Sequence, residues 1–188
     1  MQWGWNHNPD ATKWSLSKSP GRLRLMTATV TNDFTMARNT LTQRSFAKRD
    51  QTIPTIATTK MDVRKMKDGD IAGLAVFQDP YAYIAVKQPA YRTGRQKEKK
   101  YILMLNNGKV IDSAIINAST VYLRTLASNA TGKASFEYSI DNKNFKPIGE
   151  DFMMRFSLKI FTGNKFCLFN YATKEEGGYV DFDWFKVD

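Results

Sequence analysis

One cysteine and one histidine occur in 188 residues, and that scarcity excludes much chemistry. The single thiol, Cys167, allows no internal disulfide, and its KFCLF context reads as an inert buried side chain. His7 sits in the turn-rich stretch NHNPD, so no Ser/His/Asp or Cys/His set can be assembled around a strand histidine. Metal-assisted hydrolysis lacks ligands for the same reason. Glutamates number five: Glu98 in a basic run, Glu137, Glu150 in a turn, and Glu175 and Glu176 in the loop before the last strand. Cleavage of a glycosidic bond needs two carboxyl groups facing each other, about 5–10 Å apart. Neither the E-x-D-x-E strand pattern of sandwich-fold glucanases nor the Q-x-H pair of sandwich-fold alginate lyases is present. No catalytic residue is assigned.

Long apolar runs are missing too. No stretch of about 18 apolar residues occurs, so no membrane span is expected. The start, MQWGWNHNPD, has neither the basic nor the apolar region of a signal peptide, and its abrupt tryptophans read as a domain cut from a longer chain. No window keeps a 3.6-residue apolar period over three turns, which excludes a helical core.

What is present is apolar bulk, charge and short alternating runs. The apolar fraction is 42% and the aromatic fraction 13%, enough for a sizeable core. Net charge is +10, spread along the chain with one concentration at residues 92–100 (RTGRQKEKK), which reads as an exposed loop. No nucleic-acid-recognition motif accompanies the charge, so no nucleic-acid partner is expected.

Runs of strand character recur every 8–12 residues, on the order of a dozen in all, the spacing of a sandwich or barrel. Residues 56–63 alternate cleanly, and residues 70–78 (DIAGLAVFQ) are nearly all apolar, as in a central strand. Asn107-Gly108, between two such runs, is a strong hairpin signal. Serial strands without helices predict antiparallel sheets. Strands apolar on both faces favour two packed sheets over a closed barrel. The expected fold is therefore all-β, a two-sheet antiparallel sandwich spanning residues 1–188 as one domain.

The last third organises this reading. In residues 155–161 (RFSLKIF) alternation predicts a strand with Phe156, Leu158 and Ile160 inward and Phe161 on the outer side, beside the turn Thr162-Gly163-Asn164. The closing strand, residues 179–187, places Val180, Phe182 and Trp184 on one side and Asp181, Asp183, Phe185 and Val187 on the other. Asp181 and Asp183 are the candidate ligands of a structural Ca2+, helped by backbone carbonyls; the alternative is a pair of solvated or salt-bridged carboxylates. Trp5 followed by Asn6, His7 and Asn8 offers a ring face beside hydrogen-bonding groups. Arg38, Asn39, Gln43 and Arg44 lie on a polar strand suited to an open, sugar-binding concave face. For the tryptophans, core packing remains the main alternative.

Five stretches in order, WNHNPDATKWSL, ARNTLTQRSF, KMDVRKMKDGDIAGLAVFQ, FEYSIDNKNFKPIGE and RFSLKIFTGNKFCLFNYATKEEGGYVDFDWF, resemble the C-terminal concanavalin-A-like domain of family 43 glycoside hydrolases. That is the β-xylosidase and α-arabinofuranosidase group, and the likeness covers almost the whole chain. It implies a jelly roll beside an N-terminal five-bladed propeller that carries the catalytic carboxylates. It also implies an aromatic residue closing the substrate pocket, with Phe161 as the candidate, and xylan or xylo-oligosaccharide as ligand. The expected function is a non-catalytic accessory domain of a xylan-degrading enzyme. A free-standing carbohydrate-binding module is the alternative; a basic nucleic-acid or protein-interaction sandwich is a third reading.

Overall fold

A computed structural model describes residues 2–44, 52–89, 99–160 and 162–188. The strands run β1 (Trp3–Trp5), β2 (Trp14–Ser15), β3 (Leu23–Met26), β4 (Leu41–Arg44) and β5 (Thr55–Asp62). Next come β6 (Asp70–Phe77), β7 (Ala82–Lys87), β8 (Lys100–Asn106), β9 (Lys109–Ile116) and β10 (Thr120–Ser128). The chain finishes with β11 (Lys133–Ser139), β12 (Lys146–Pro147), β13 (Phe152–Met153), β14 (Lys165–Ala172) and β15 (Tyr179–Val187). The helical elements among the described residues are single 3-10 turns, Ala11–Lys13 and Phe34–Met36.

Two antiparallel sheets result, as alternation without helical period predicts. One has the order β1-β4-β14-β6-β7-β8-β9, the other β12-β11-β10-β5-β15-β3-β2, with β13 added against β11. The hairpin expected at Asn107-Gly108 joins β8 to β9; both residues have positive φ, 47° and 85°, as its tight turn requires.

The main core lies between the sheets. Met61, Leu74, Ile84, Met104, Leu123 and Phe166 are almost completely removed from water there. A second core covers the outer face of the seven-stranded sheet, and it explains why all eight residues of β6 are buried. Residues 27–40 cross that face as a strap. It is tied down by Thr31 N–H donating to the Ala172 carbonyl at 2.9 Å and by Ala172 N–H donating to the Thr29 carbonyl at 3.1 Å. Phe34 is the strap's anchor, 1% exposed, with ring centroids 4.6 Å from Phe169 and 5.0 Å from Tyr81. Beneath it the Tyr83 and Tyr171 hydroxyls meet at 3.1 Å. β6 and β7 approach closely at Gly73, where a Cβ would collide with the Ile84 carbonyl oxygen.

Three expectations are corrected. Residues 155–160 form no strand, and Phe156 and Leu158 are exposed, 64% and 77%. The segment carries the chain from β13 in one sheet to β14, an interior strand of the other, so it serves as a crossover between the sheets. Trp184 leaves the side of Val180 and Phe182. A bulge at Asp183 shifts the register, so Phe182 faces Met61 but Trp184 faces Lys60, and Trp184 meets Tyr122 on the outer side. Phe185 and Val187 then pack on the main core instead. Finally, the polar stretch 38–44 is a strand only from Leu41, and among its described side chains Asn39, Thr40, Thr42 and Gln43 are buried rather than open to a ligand. Of the basic run, residues 92–98 lie outside the described residues, while Lys100 is buried within β8. Phe46 and Phe161 also lie outside them, as does the side chain of Arg44.

Candidate functional site

Five loops meet at one end of the strap-covered sheet around an open hollow of about 600 Å3. β1 ends at Trp5, and Asn6 N–H then donates to the Thr40 carbonyl at 3.0 Å, which sets the N-terminal loop on the strap. His7 Nε2 lies 2.7 Å from the Thr35 carbonyl oxygen. Asp33 starts the Phe34–Met36 turn by accepting from Thr35 N–H and Thr35 Oγ1, at 2.9 and 2.8 Å. Asp79, in the β6–β7 turn, pairs with Lys159 from the 155–160 segment at 2.8 Å. That hydrogen bond raises the Lys159 ammonium above its ordinary range. Asn107, at the hairpin tip, donates its N–H to the Tyr81 carbonyl at 2.8 Å. Burial pushes the Tyr81 phenol up to about 12, so it stays a neutral hydroxyl.

The chemistry on offer is recognition. Amides from Asn6, Asn32 and Asn107 and the Asp33 carboxylate, with the buried Phe77 and Tyr81 rings at its floor, suit a hydroxyl-rich ligand. A general acid needs a carboxyl held protonated near neutral pH. Among the described residues, Asp70 is a carboxyl pushed up to about 6 by burial, despite the Lys67 N–H bond to it at 2.7 Å. It is fully buried against Gly178 and cannot meet a substrate.

The residues singled out from sequence do not form one surface. Asn6 and His7 line the loop hollow. Asn8 and Arg38 occupy an exposed corner, where Arg38 reaches the Asn8 carbonyl at 3.3 Å. Asn39 is buried at φ 55° and clamps Asp10 from both sides, accepting from its N–H and donating to its carbonyl. Gln43 faces inward between Trp3 and Phe166, 7% exposed. Trp5 points between the sheets, where it meets Trp14 at 5.4 Å. Asn32, Asp33, Tyr81, Asn107 and Lys159 were not singled out as site residues. Asp33-x-Thr35 and Asn107-Gly108 carry turn signals, but nothing in sequence says that the two turns meet.

Asp181 and Asp183 are held by basic side chains. Both Asp181 oxygens accept from Arg24, from Nε and Nη2 at 2.8 Å each. Asp183 accepts from Lys60 at 2.6 Å and lies 3.4 Å from Arg22; the Lys60 bond keeps its carboxyl below the usual range. This donor set does not fit a hard dication, because each carboxylate already has a cation in hydrogen-bond contact. Among the described residues, no three acid, histidine or cysteine side chains cluster as metal ligands. Cys167 is buried, and burial drives its thiol up, so it is inert.

Comparison with known proteins gives this geometry a lineage. The β-xylosidase of Formosa agariphila is 34% identical over 208 residues, an alignment covering all of this chain and 33% of that protein. A solved bifunctional GH43-CE protein of Bacteroides eggerthii superposes with a TM-score of 0.89 at 40% identity, over 99% of this chain and 23% of that one. A GH43 glycoside hydrolase engineered to display both endo-xylanase and exo-arabinofuranosidase activity gives a TM-score of 0.87 at 33% identity, over 99% and 38%. The chain thus spans about a third of the length of that β-xylosidase. Residues 1–188 match the family described as the beta xylosidase C-terminal concanavalin A-like domain, and the chain belongs to that family.

Proposed function

We propose that the chain is the accessory sandwich of a xylan-degrading glycoside hydrolase, and that its loop hollow faces a catalytic neighbour and helps enclose the substrate. One observation carries this reading. Side chains from five separate loops converge on a single open hollow, lined by amides, two carboxylates and aromatic rings. Lys159 and Ile160 line it, and Phe161 follows them directly in sequence as the pocket-closing candidate. Such a hollow supplies positioning and water exclusion, while the bond-breaking carboxylates come from the partner domain.

The test is steady-state kinetics of the chain joined to its catalytic domain, with xylo-oligosaccharides as substrate. Phe161→Ala and Lys159→Ala raise KM at least fivefold if these loops contact substrate. Unchanged KM and kcat in both variants would remove the pocket-closing role.

A further inference from the structure

All four tryptophans of the chain, Trp3, Trp5, Trp14 and Trp184, line one groove of about 390 Å3. It opens at the margin of the sandwich between edge strands β1 and β2, away from the strap. Flat rings and leucine side chains (Leu16, Leu23, Leu41 and Leu168) share its walls; Trp5 lies 5.4 Å from Trp14, and Trp3 5.0 Å from Phe185. Trp14 Nε1 is buried without a hydrogen-bond partner among the described residues. Beyond Phe182, β15 pairs with β5 on one side and, among the described residues, with no strand on the other, so backbone groups border the groove. Leu16, 63% exposed, stands at its mouth.

Charge continues the groove onto the outer face. Asp183 lines the groove and contacts Arg22; Arg22 also lines a neighbouring hollow of about 390 Å3 with Ser19, Lys65 and Tyr179. Here the carboxylates already have close partners: Asp181 with Arg24, Asp62 with Arg64, Asp183 with Lys60. Arg22 is left with long contacts, 3.4 Å to Asp183 and 3.9 Å to Asp62, and Lys65 has no ion-pair partner among the described residues. The trough therefore runs into two cations, Arg22 held by carboxylates only at long range and Lys65 outside any ion pair among the described residues, complementary to a pyranose chain bearing an anion.

We propose that this margin is a second polysaccharide site, selective for uronate-substituted xylan, whose rings lie on the tryptophans while a uronate carboxylate sits between Arg22 and Lys65. The choice of a xylan backbone rests on the proposed function; the selectivity for charge rests on this geometry alone.

Affinity electrophoresis of the 188-residue chain tests it, in gels holding glucuronoxylan, the same polymer after carboxyl reduction, or heparin. The site predicts retardation by glucuronoxylan at least tenfold stronger than by the reduced polymer. Arg22→Ala with Lys65→Ala removes that preference but leaves binding of the reduced polymer unchanged. Leu16→Glu, at an exposed position, weakens glucuronoxylan binding several-fold without unfolding the chain. Equal retardation by native and reduced xylan would overturn the charge selectivity while leaving the loop-hollow reading intact. No retardation by either, or retardation by heparin as strong as by glucuronoxylan, would overturn the site altogether.

Discussion

The outer face of the seven-stranded sheet is covered by its own chain, whereas the outer face of the eight-stranded sheet carries charge. On the first, Phe34 and the strap bury Phe77, Tyr83, Phe169 and Tyr171. On the second, Arg24, Asp181, Lys60, Asp183, Arg124 and Glu137 form ion pairs across β3, β15, β5, β10 and β11. The difference teaches where ligands can go. A sheet face filled with packed rings cannot also hold a sugar, so the proposed recognition surfaces are the loop end and the tryptophan margin. The two faces should also respond differently to mutation, since packing loss leaves cavities while surface pairs contribute little.

The largest expected effect is on the covered face. Phe34→Ala should destabilise the chain by about 3–5 kcal/mol in urea unfolding, against less than about 0.5 kcal/mol for its exposed neighbour Met36→Ala. Equal effects would show that the strap does not hold a second core.

Asp70 lies where the strap, β6 and the loop before β15 meet, and its effect is next in size. Burial raises its folded pKa from 3.8 to about 6, so the folded state holds the proton more tightly than the unfolded state. Stability from this group is therefore complete below about pH 4 and is lost as pH rises through about 6. Asp70→Asn should flatten that fall and recover on the order of 2–3 kcal/mol at neutral pH. Parallel stability curves for the two proteins between pH 4 and 7 would contradict it. Asp183 has the opposite sign: its lowered pKa contributes stability that is lost on acidification.

On the charged face, Arg24→Ala should cost about 1–3 kcal/mol, because it strands the nearly buried Asp181 carboxylate. Lys186→Ala, which removes an exposed pair with Asp188, should change Tm by less than a degree. The smallest effect expected is that of metal: excess Ca2+ or a chelator should leave Tm unmoved. A rise of several degrees on adding Ca2+ would return Asp181 and Asp183 to the role of ligands.

Much of this architecture is legible in local pattern. β5 and β10 alternate, Asn107-Gly108 marks a hairpin, and DIAGLAVFQ has the uniform apolarity of a strand buried on both faces. Long-range facts are not legible in the same way. RFSLKIF has the period of a strand, but residues 155–160 serve as the crossover from β13 in one sheet to β14 in the other. The closing strand hides a one-residue bulge that reverses Trp184 and Phe185. The strap looks polar because its turn residues dominate, yet one phenylalanine fixes its position. Asn39 and Gln43 illustrate the same limit: their amides suggest a ligand, but one clamps a loop and the other lies between the sheets.

The central proposal is that this sandwich positions and encloses substrate but breaks no bond by itself. Hydrolysis of nitrophenyl xyloside, measured for the chain alone, the catalytic domain alone and the two joined, tests it most directly. No turnover by the chain, and a kcat/KM at least tenfold higher for the joined protein than for the catalytic domain alone, is the predicted result. Turnover by the isolated chain, or an equally active catalytic domain without it, would contradict the account.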